Sequence, residues 1–492
     1  MKTQRLSRHF TSKIARVLVS GLICITAVLP CRSAQTPPYW DAAPATSSLG
    51  GGEHTPMVFY NGALYVLLGQ TYFWPNTVAR WTKCGGWQVI GSLGSANPNV
   101  DPIGGSLCLG GDGGHYLYVG GQFDWVDSVA VNNVAKFDLS TGVWSPVGDG
   151  SLTRPAFSLA ADLSGTVYAG FPPWAESPGV LSTELLKVCT ANTWAGLGGG
   201  LIESMSARDP YGVSALASYG STIYAAGDFD GSATVSSFNV IKWDGSWHSM
   251  ETADNWTYSF GPWMEWVAAD DQNVFVAGSF AGADGISPAG IARFSTAGTP
   301  IPIDRLLSHQ WGAQPGFGRA LTMQTESGNT YVAGTFDSVE SMSAAGIAKW
   351  ASSLAAWSPL GSGLTYADGT PATGTGLACN RGAVYVAGNF AFAGGVPAQG
   401  IARWVTGPSP DSITSCSVTL SDPVPIDHCN ASITVTGQIG SHWWISGSPD
   451  QVNWQVIGDV TLWNGSATIT DPNACDNRYY MATNLCCVGS HH

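Results

Sequence analysis

GAVYVAGNFAFAGGVPAQGIARW, residues 382–404, is the stretch from which the rest of the chain can be read. Weaker copies of it precede it. Aligned on the aromatic that opens the YVAG core, they fall at Tyr65, Tyr118, Tyr168, Tyr224, Phe275, Tyr331 and Tyr385. Six steps separate the first from the last, about 53 residues each, a period typical of propellers, solenoids and arrays. Within the quoted copy, short apolar runs near Thr375–Ala378, Ala383–Ala387 and Gly400–Trp404 are bounded by Gly, Asn and Ser, which is a strand pattern. Earlier copies add a fourth run of the form Trp-x-x-(Leu/Val/Ile)-Gly: Trp87–Gly91, Trp144–Gly148, Trp194–Gly198 and Trp357–Gly361.

The second run is apolar at both parities, so both of its faces should be covered. Four-stranded units stacked face to face about an axis provide that cover. The expected fold is all-β: a seven-bladed β-propeller over residues 35–405, followed by a small C-terminal β-sandwich. Gly121, Gly227, Gly278, Gly334 and Gly388 each lie three residues after the opening aromatic, where a strand glycine marks a bulge or a close backbone approach. Two residues further on stand Phe123, Phe229, Phe280, Phe336 and Phe390, read as plugs between blades. The third run carries a basic residue at one register in all seven copies: Arg80, Lys136, Lys187, Lys242, Arg293, Lys349 and Arg403. These seven are expected to be structural cations paired with carboxylates or turn carbonyls, because a buried charge needs a partner.

The pattern resembles the kelch and galactose-oxidase-like propellers. It is most similar to the YVGGxF…AGG…IARW…WxxLG repeats of secreted bacterial proteins and of the fungal cortical polarity marker. The resemblance runs from about Trp40 to Trp404 and is weakest at Tyr65 and Tyr168. It implies a fold far more firmly than an activity. No run matches the galactose-oxidase copper ligands, and a nucleophile elbow, a phosphate loop and His-Glu-x-x-His are all missing. No catalytic residue and no metal ligand set is therefore assigned.

Residues 1–34 read as an export signal, with Lys2, Arg5, Arg8, Lys13 and Arg16 ahead of the apolar run Val17–Leu29. Secretion to an extracellular or cell-surface site is the expectation, with no transmembrane span. Loss of that segment removes six basic residues and leaves 14 basic against 34 acidic residues, a formal −20. Such a charge disfavours nucleic acid and anionic membranes as partners. Residues 406–415 read as a linker and 416–492 as the Cys-rich sandwich module. In an oxidising compartment cysteines read first as disulfides. The candidates are Cys416, Cys429, Cys475, Cys486 and Cys487, with Cys475 expected to join Cys486 or Cys487 and Cys416 to join Cys429.

Turns between first and second strands, and between third and fourth, are short. The long second-to-third and blade-to-blade connections open on one face, which should carry any ligand site. Candidate binding residues there are Trp74, Trp125, Trp174, Trp256, Trp263, Trp311, Asp127, Asp209, Glu265 and Asp368. Aromatic planes stack on sugar rings, and carboxylates bind hydroxyls. No cofactor is implied, Ca²⁺ being the one ion these carboxylates suit. Three readings follow. The first is a non-catalytic recognition or adhesion protein that binds polysaccharide or a cell-surface protein. The second is a carbohydrate-active enzyme (hydrolase, lyase or galactose-oxidase-like), and the third a structural envelope or matrix component. The last repeat has no Trp-x-x-Leu-Gly strand of its own. The run ATSSLGG, residues 45–51, is expected to supply it and close the ring.

Overall fold

The computed structural model describes residues 38–41, 55–69, 76–82, 86–97, 100–111, 115–162, 164–171, 181–203, 212–250, 263–279, 290–301, 307–311, 314–317, 319–326, 328–340, 342–380 and 382–406. In the tail it describes residues 418–421, 424–425, 431–437, 442–448, 454–462, 466–471 and 479–484. Regular structure is β throughout these residues, apart from a 3₁₀ turn at Leu197–Gly199. No helix among them is long and apolar enough to cross a membrane. The chain divides into two compact units between Ser412 and Ile413.

In the larger unit each repeat forms one antiparallel sheet in chain order. The seventh shows the plan: Thr373–Asn380 innermost, then Ala383–Asn389, then Ile401–Val405. The innermost strand of each sheet lies against that of the next. The series closes on itself, because Met57–Tyr60 of the first repeat touches Thr373–Asn380 of the seventh. The ring is a β-propeller. Its second strands are buried almost end to end, as in Ala63–Leu68 and Ala383–Asn389, because each is covered by a sheet on either face. Polar side chains tie the inner strands together. Ser158 Oγ donates to Val213 O at 3.0 Å, Thr325 Oγ1 to Ala269 O at 3.0 Å, and Thr55 Oγ1 lies 3.1 Å from Thr375 Oγ1 across the closure.

The strand glycines have a common cause. Opposite each, the inner strand carries a bulge, as between Gly104 and Ser106, Ala320 and Thr322, or Gly374 and Gly376. The bulge drives a carbonyl into the glycine. A Cβ on Gly121, Gly227, Gly334 or Gly388 would lie 2.0, 2.0, 2.0 or 2.1 Å from a backbone oxygen. Gly334→Ala must therefore move backbone, and we expect it to cost about 1–3 kcal/mol. An unchanged urea midpoint for Gly334→Ala would show the bulge to be soft.

The plug phenylalanines Phe123, Phe229, Phe336 and Phe390 are buried, while Phe280 lies outside the described residues. The third repeat departs from the pattern by one residue. Phe171 follows Gly170 directly and is fully buried, so it serves as the plug. Lys187 slips with it. It pairs with Ala169, not with Tyr168, whereas Arg80, Lys136, Lys242, Arg293, Lys349 and Arg403 all stand opposite the opening aromatic. The basic residues thus share one register in six repeats, not seven. A one-residue slip moves a side chain to the other face of the sheet. Lys187 accordingly pairs with Glu184 at 2.9 Å.

Closure also differs from the expectation. The outermost strand of the seventh sheet is Tyr39–Asp41, paired antiparallel with Ile401–Val405; residues 45–51 lie outside the described residues. The N-terminal chain does complete the last sheet, and among the described residues it does so through Trp40, in the place of the motif's Trp. Trp144, Trp194 and Trp247 each donate an indole N–H to the end of the preceding repeat's fourth strand or the turn just after it: to Ile90 O at 2.6 Å, Val147 O at 3.3 Å and Gly198 O at 2.9 Å. Trp40 donates to Leu360 O at 2.9 Å in the same way. Three of these rings also pack on an aromatic of the third strand, Trp40 on Trp404 at 5.2 Å, Trp144 on Phe137 at 4.9 Å and Trp247 on Trp243 at 5.0 Å, whereas Trp194 stands opposite Cys189.

In the smaller unit Ala431–Gly437 pairs with Val418–Leu420, Val424–Pro425 and Ser466–Asp471. A second sheet has His442–Ser448 between Gln455–Thr461 and Tyr479–Asn484. Leu420, Ile433, Val435, Trp443, Ile445, Leu462 and Tyr480 form one core shared by the two sheets. The five disulfide candidates Cys416, Cys429, Cys475, Cys486 and Cys487 lie outside the described residues. Cys108, Cys189 and Cys379 of the ring are free thiols, against the general expectation of pairing.

Candidate functional site

The face of interest is built by hairpins that reach from one repeat to the next. After Phe123 the chain forms Trp125–Val126 and Val129–Ala130, and the first of these pairs with Leu93 and Gly94 at the end of the first repeat. The same device recurs where Phe392–Ala393 pairs with Leu364–Thr365, and where Ser338–Val339 pairs with Leu307–Trp311. Its anchor is an apolar residue three after the plug: Val126, Val339 and Ala393 are all buried. One residue further on, Asp127, Glu340 and Gly394 take positive φ of 52°, 56° and 56° to make the turn. The signal was present in sequence as Phe-x-x-(Val/Ala) followed by a turn residue. It was masked because Asp and Glu stood where a turn is usually marked by Gly or Asn.

This construction assigns several candidates. Asp127 is the turn residue, and its Oδ1 accepts the Ser92 N–H at 2.9 Å. Asp124 Oδ2 accepts from Ser95 Oγ at 3.0 Å and Ala96 N at 2.6 Å. Together these two carboxylates latch the hairpin to the first repeat. Trp125 between them lies over Gly94, where an added Cβ would fall 1.6 Å from its Nε1. One side of the indole is thereby held, and the residue keeps 37% exposure. Asp368 accepts from Thr370 N at 3.0 Å and Thr370 Oγ1 at 2.6 Å, closing a loop between the sixth and seventh sheets. Those bonds hold its carboxyl below the usual range. Trp311 ends the strand Leu307–Trp311 of another bridging hairpin. Glu265 is the extra residue of the fifth repeat's bulge, two residues after Trp263. Trp74, Trp174, Trp256 and Asp209 lie outside the described residues. Trp125 and Asp127 are thus brought into one hairpin, whereas Asp368, Trp311 and Glu265 belong to other junctions.

The seven basic residues lie away from this face, in the third strands, and six of them have local side-chain partners, among them Lys187 with Glu184. Arg80 Nη2 donates to Gln88 Oε1 at 3.0 Å, Arg293 Nε to Asn273 Oδ1 at 2.8 Å, and Lys242 Nζ to Thr296 O at 3.0 Å. Arg403 pairs with Asp41. Lys136 stands 5.1 Å from the Tyr116 ring. Arg80 and Arg403 occupy the same register, yet they respond differently to burial. Burial lowers the pKa of Arg80, whose fourth-strand partner is neutral. At Arg403 the same burial is outweighed by Tyr385 and by the Asp41 carboxylate, so its pKa rises.

The opening tyrosines supply a pH test. Burial pushes Tyr65 up to about 12, only partly offset by Arg80, and burial raises Tyr118 and Tyr331 too. A folded-state pKa above the unfolded value means that the contribution is whole below about pH 10 and is lost as pH rises through the folded value. Tyr65 alone accounts for about 2–3 kcal/mol of this. Burial raises the free thiols Cys108, Cys189 and Cys379 as well, so the urea midpoint should begin to fall above about pH 9, the ordinary thiol value, and fall more steeply by pH 11 as the tyrosines join. A level midpoint to pH 11 would contradict the burial.

One Ser-His-Asp grouping is present and is not a relay. Ser246 Oγ and Asp244 Oδ1 both meet His248 Nε2, at 3.0 and 2.8 Å. A nucleophile relay needs the carboxylate and the hydroxyl on different ring nitrogens. The grouping instead ties the tight turn of the fourth repeat. Among the described residues no three His, Cys, Asp or Glu side chains are grouped to hold a metal ion.

No protein-family model matches the chain, and no curated protein matches it. Among solved structures it is similar to an oligogalacturonate lyase from Vibrio parahaemolyticus, at 9% identity over 74% of this chain and 93% of that one, with a TM-score of 0.43. An α-L-arabinofuranosidase from Clostridium thermocellum is similar at 16% identity over 53% and 95%, with a TM-score of 0.25. A structure titled only glycoside hydrolase is similar at 11% identity over 90% and 97%, with a TM-score of 0.27. Scores and identities this low carry no argument about what this chain acts on.

Proposed function

We propose that this is a secreted polysaccharide-binding protein that engages its ligand through the face of inter-repeat hairpins. The observation that carries the proposal is Trp125. Its ring is fixed by Gly94 on one side, flanked by two latching carboxylates, and keeps 37% exposure. A rigid aromatic plane held out on a latched hairpin is suited to stack on a sugar ring. The carboxylates nearby are already committed to backbone and hydroxyl donors, so the reading asks of this site binding and not bond cleavage. Secretion rests on the cationic and apolar leader and on the acidic, Ser- and Gly-rich composition of the remainder. Kinship with the kelch-type repeats is part of the same proposal.

The alternative is a carbohydrate-active enzyme working on the same face, the kind of activity for which the lyase, arabinofuranosidase and glycoside hydrolase are named. One experiment addresses both. The protein is presented with a panel of immobilised polysaccharides, and bound protein and released sugar are measured. Retention without released sugar is the expected result. Trp125→Ala should weaken retention about tenfold, the loss of one stacking contact of about 1.4 kcal/mol. Its melting temperature should stay close to that of the wild type. Unchanged retention in Trp125→Ala would defeat the site, and steady release of sugar would favour the enzyme.

A further inference from the structure

Three residues complete the ring. Tyr39, Trp40 and Asp41 pair with Val405, Trp404 and Arg403, more than 360 positions away in sequence. What they fill is a defined slot. The edge of Ile401–Val405 offers backbone groups, and Leu360 O accepts the indole N–H. Gly361, Gly394 and Trp404 wall a pocket so close around the indole that a Cβ on Gly394 would come 2.1 Å from Trp40 Cδ1. At the end of the slot the buried Arg403 guanidinium takes the Asp41 carboxylate. Every feature reads an extended Trp-Asp segment by its own chemistry: edge backbone, indole N–H, ring and carboxylate. None of them reads how that segment is tethered.

The tether itself leaves room. Thirteen residues, 42–54, separate Asp41 from Thr55. Extended, they reach about 43–47 Å. The outermost strand of one sheet and the innermost strand of the next are separated by about four strand spacings, or about 15–20 Å. The chain is therefore much longer than the path within one molecule requires, and long enough to pass to another.

We propose that the edge of Ile401–Val405 is a strand-accepting site, and that the Tyr39–Asp41 strand of a second copy of this chain can fill it. The exchange adds no new contact, because donor and slot are those of the monomer. It is a strand swap of the low-cost kind, made by strand addition at a sheet edge. Even with that slack, a tether of thirteen residues gives the resident strand a high effective concentration. Monomers therefore prevail in dilute protein, and swapped oligomers form on refolding at high concentration.

The test uses the full chain and a fluorescent peptide of residues 36–44. Trp40→Ala empties the pocket while keeping the chain whole. The peptide should bind this variant and not the wild type, whose slot is occupied. A peptide carrying Trp40→Ala should bind at least tenfold more weakly. Failure of the peptide to bind the variant, or equal binding of both peptides, overturns the proposal. A second arm needs no variant: wild-type protein is unfolded in urea and refolded across a hundredfold range of concentration. The dimer fraction should rise with concentration and collapse when excess peptide is present. Monomer at every concentration, or dimers indifferent to the peptide, also overturns it.

Discussion

Trp40→Ala is expected to destabilise the propeller unit by about 3–5 kcal/mol, the range for removing a buried Trp. The residue is 4% exposed, donates to Leu360 O at 2.9 Å and packs on Trp404. Its loss opens a cavity and leaves Leu360 O without that donor. The same truncation at Trp247, which makes the matching bond to Gly198 O, removes a fourth-strand anchor held by a tight turn of its own sheet. At position 40 the strand, three residues long like that of Trp247, comes from the far end of the chain with no turn joining it to its sheet. Trp40→Ala should therefore cost more than Trp247→Ala, and should alone expose the edge of Ile401–Val405. Urea unfolding of both variants, read with light scattering for edge-to-edge association, checks this. An equal loss in the two, with no association, would mean that closure does not depend on Trp40.

The second large effect is expected at the plugs. Phe336 is 1% exposed and shares one core with Ile291 of the fifth sheet, Leu307 and Val339 of the bridging hairpin, and Ala344 and Ala348 further along the chain. Phe336→Ala should cost about 3–5 kcal/mol. It should also loosen the hairpin anchored by Val339, since both side chains share that cluster. Leu354→Ala, at a turn where the leucine is 76% exposed, should stay within about 0.5 kcal/mol and serves as the control. A Phe336→Ala loss no larger than the control would remove the plug from the account of why the sheets stay together.

Much of the architecture could be read from local pattern. The seven opening aromatics, the glycines three residues on and the basic residues opposite all report on a sheet's own strands. Their spacing follows from alternation and from the bulge that a glycine must accommodate. The Trp-x-x-Leu-Gly fourth strand was legible for the same reason.

Other features depend on pairings between residues far apart in the chain. The closing strand was expected at residues 45–51 because Leu49-Gly50 matched the end of the motif. The residue that matters is Trp40, whose indole reaches a carbonyl 320 positions away. Lys187 shows the same limit at short range: it stands one position early in its strand, Val188 takes the place opposite Tyr168, and the lysine pairs with Glu184. Asp127 shows it at the candidate site. As a sequence element it is an exposed acid beside a Trp, suited to bind a hydroxyl. In the folded ring it is a left-handed turn residue whose carboxylate is taken by the Ser92 N–H. The repeat pattern, and with it the sheets, was settled by side-chain alternation along each strand. Which tryptophan closes the ring, which cation slips, and which carboxylates are already taken were settled by backbone and side-chain donors and acceptors that the folded strands and turns bring into reach.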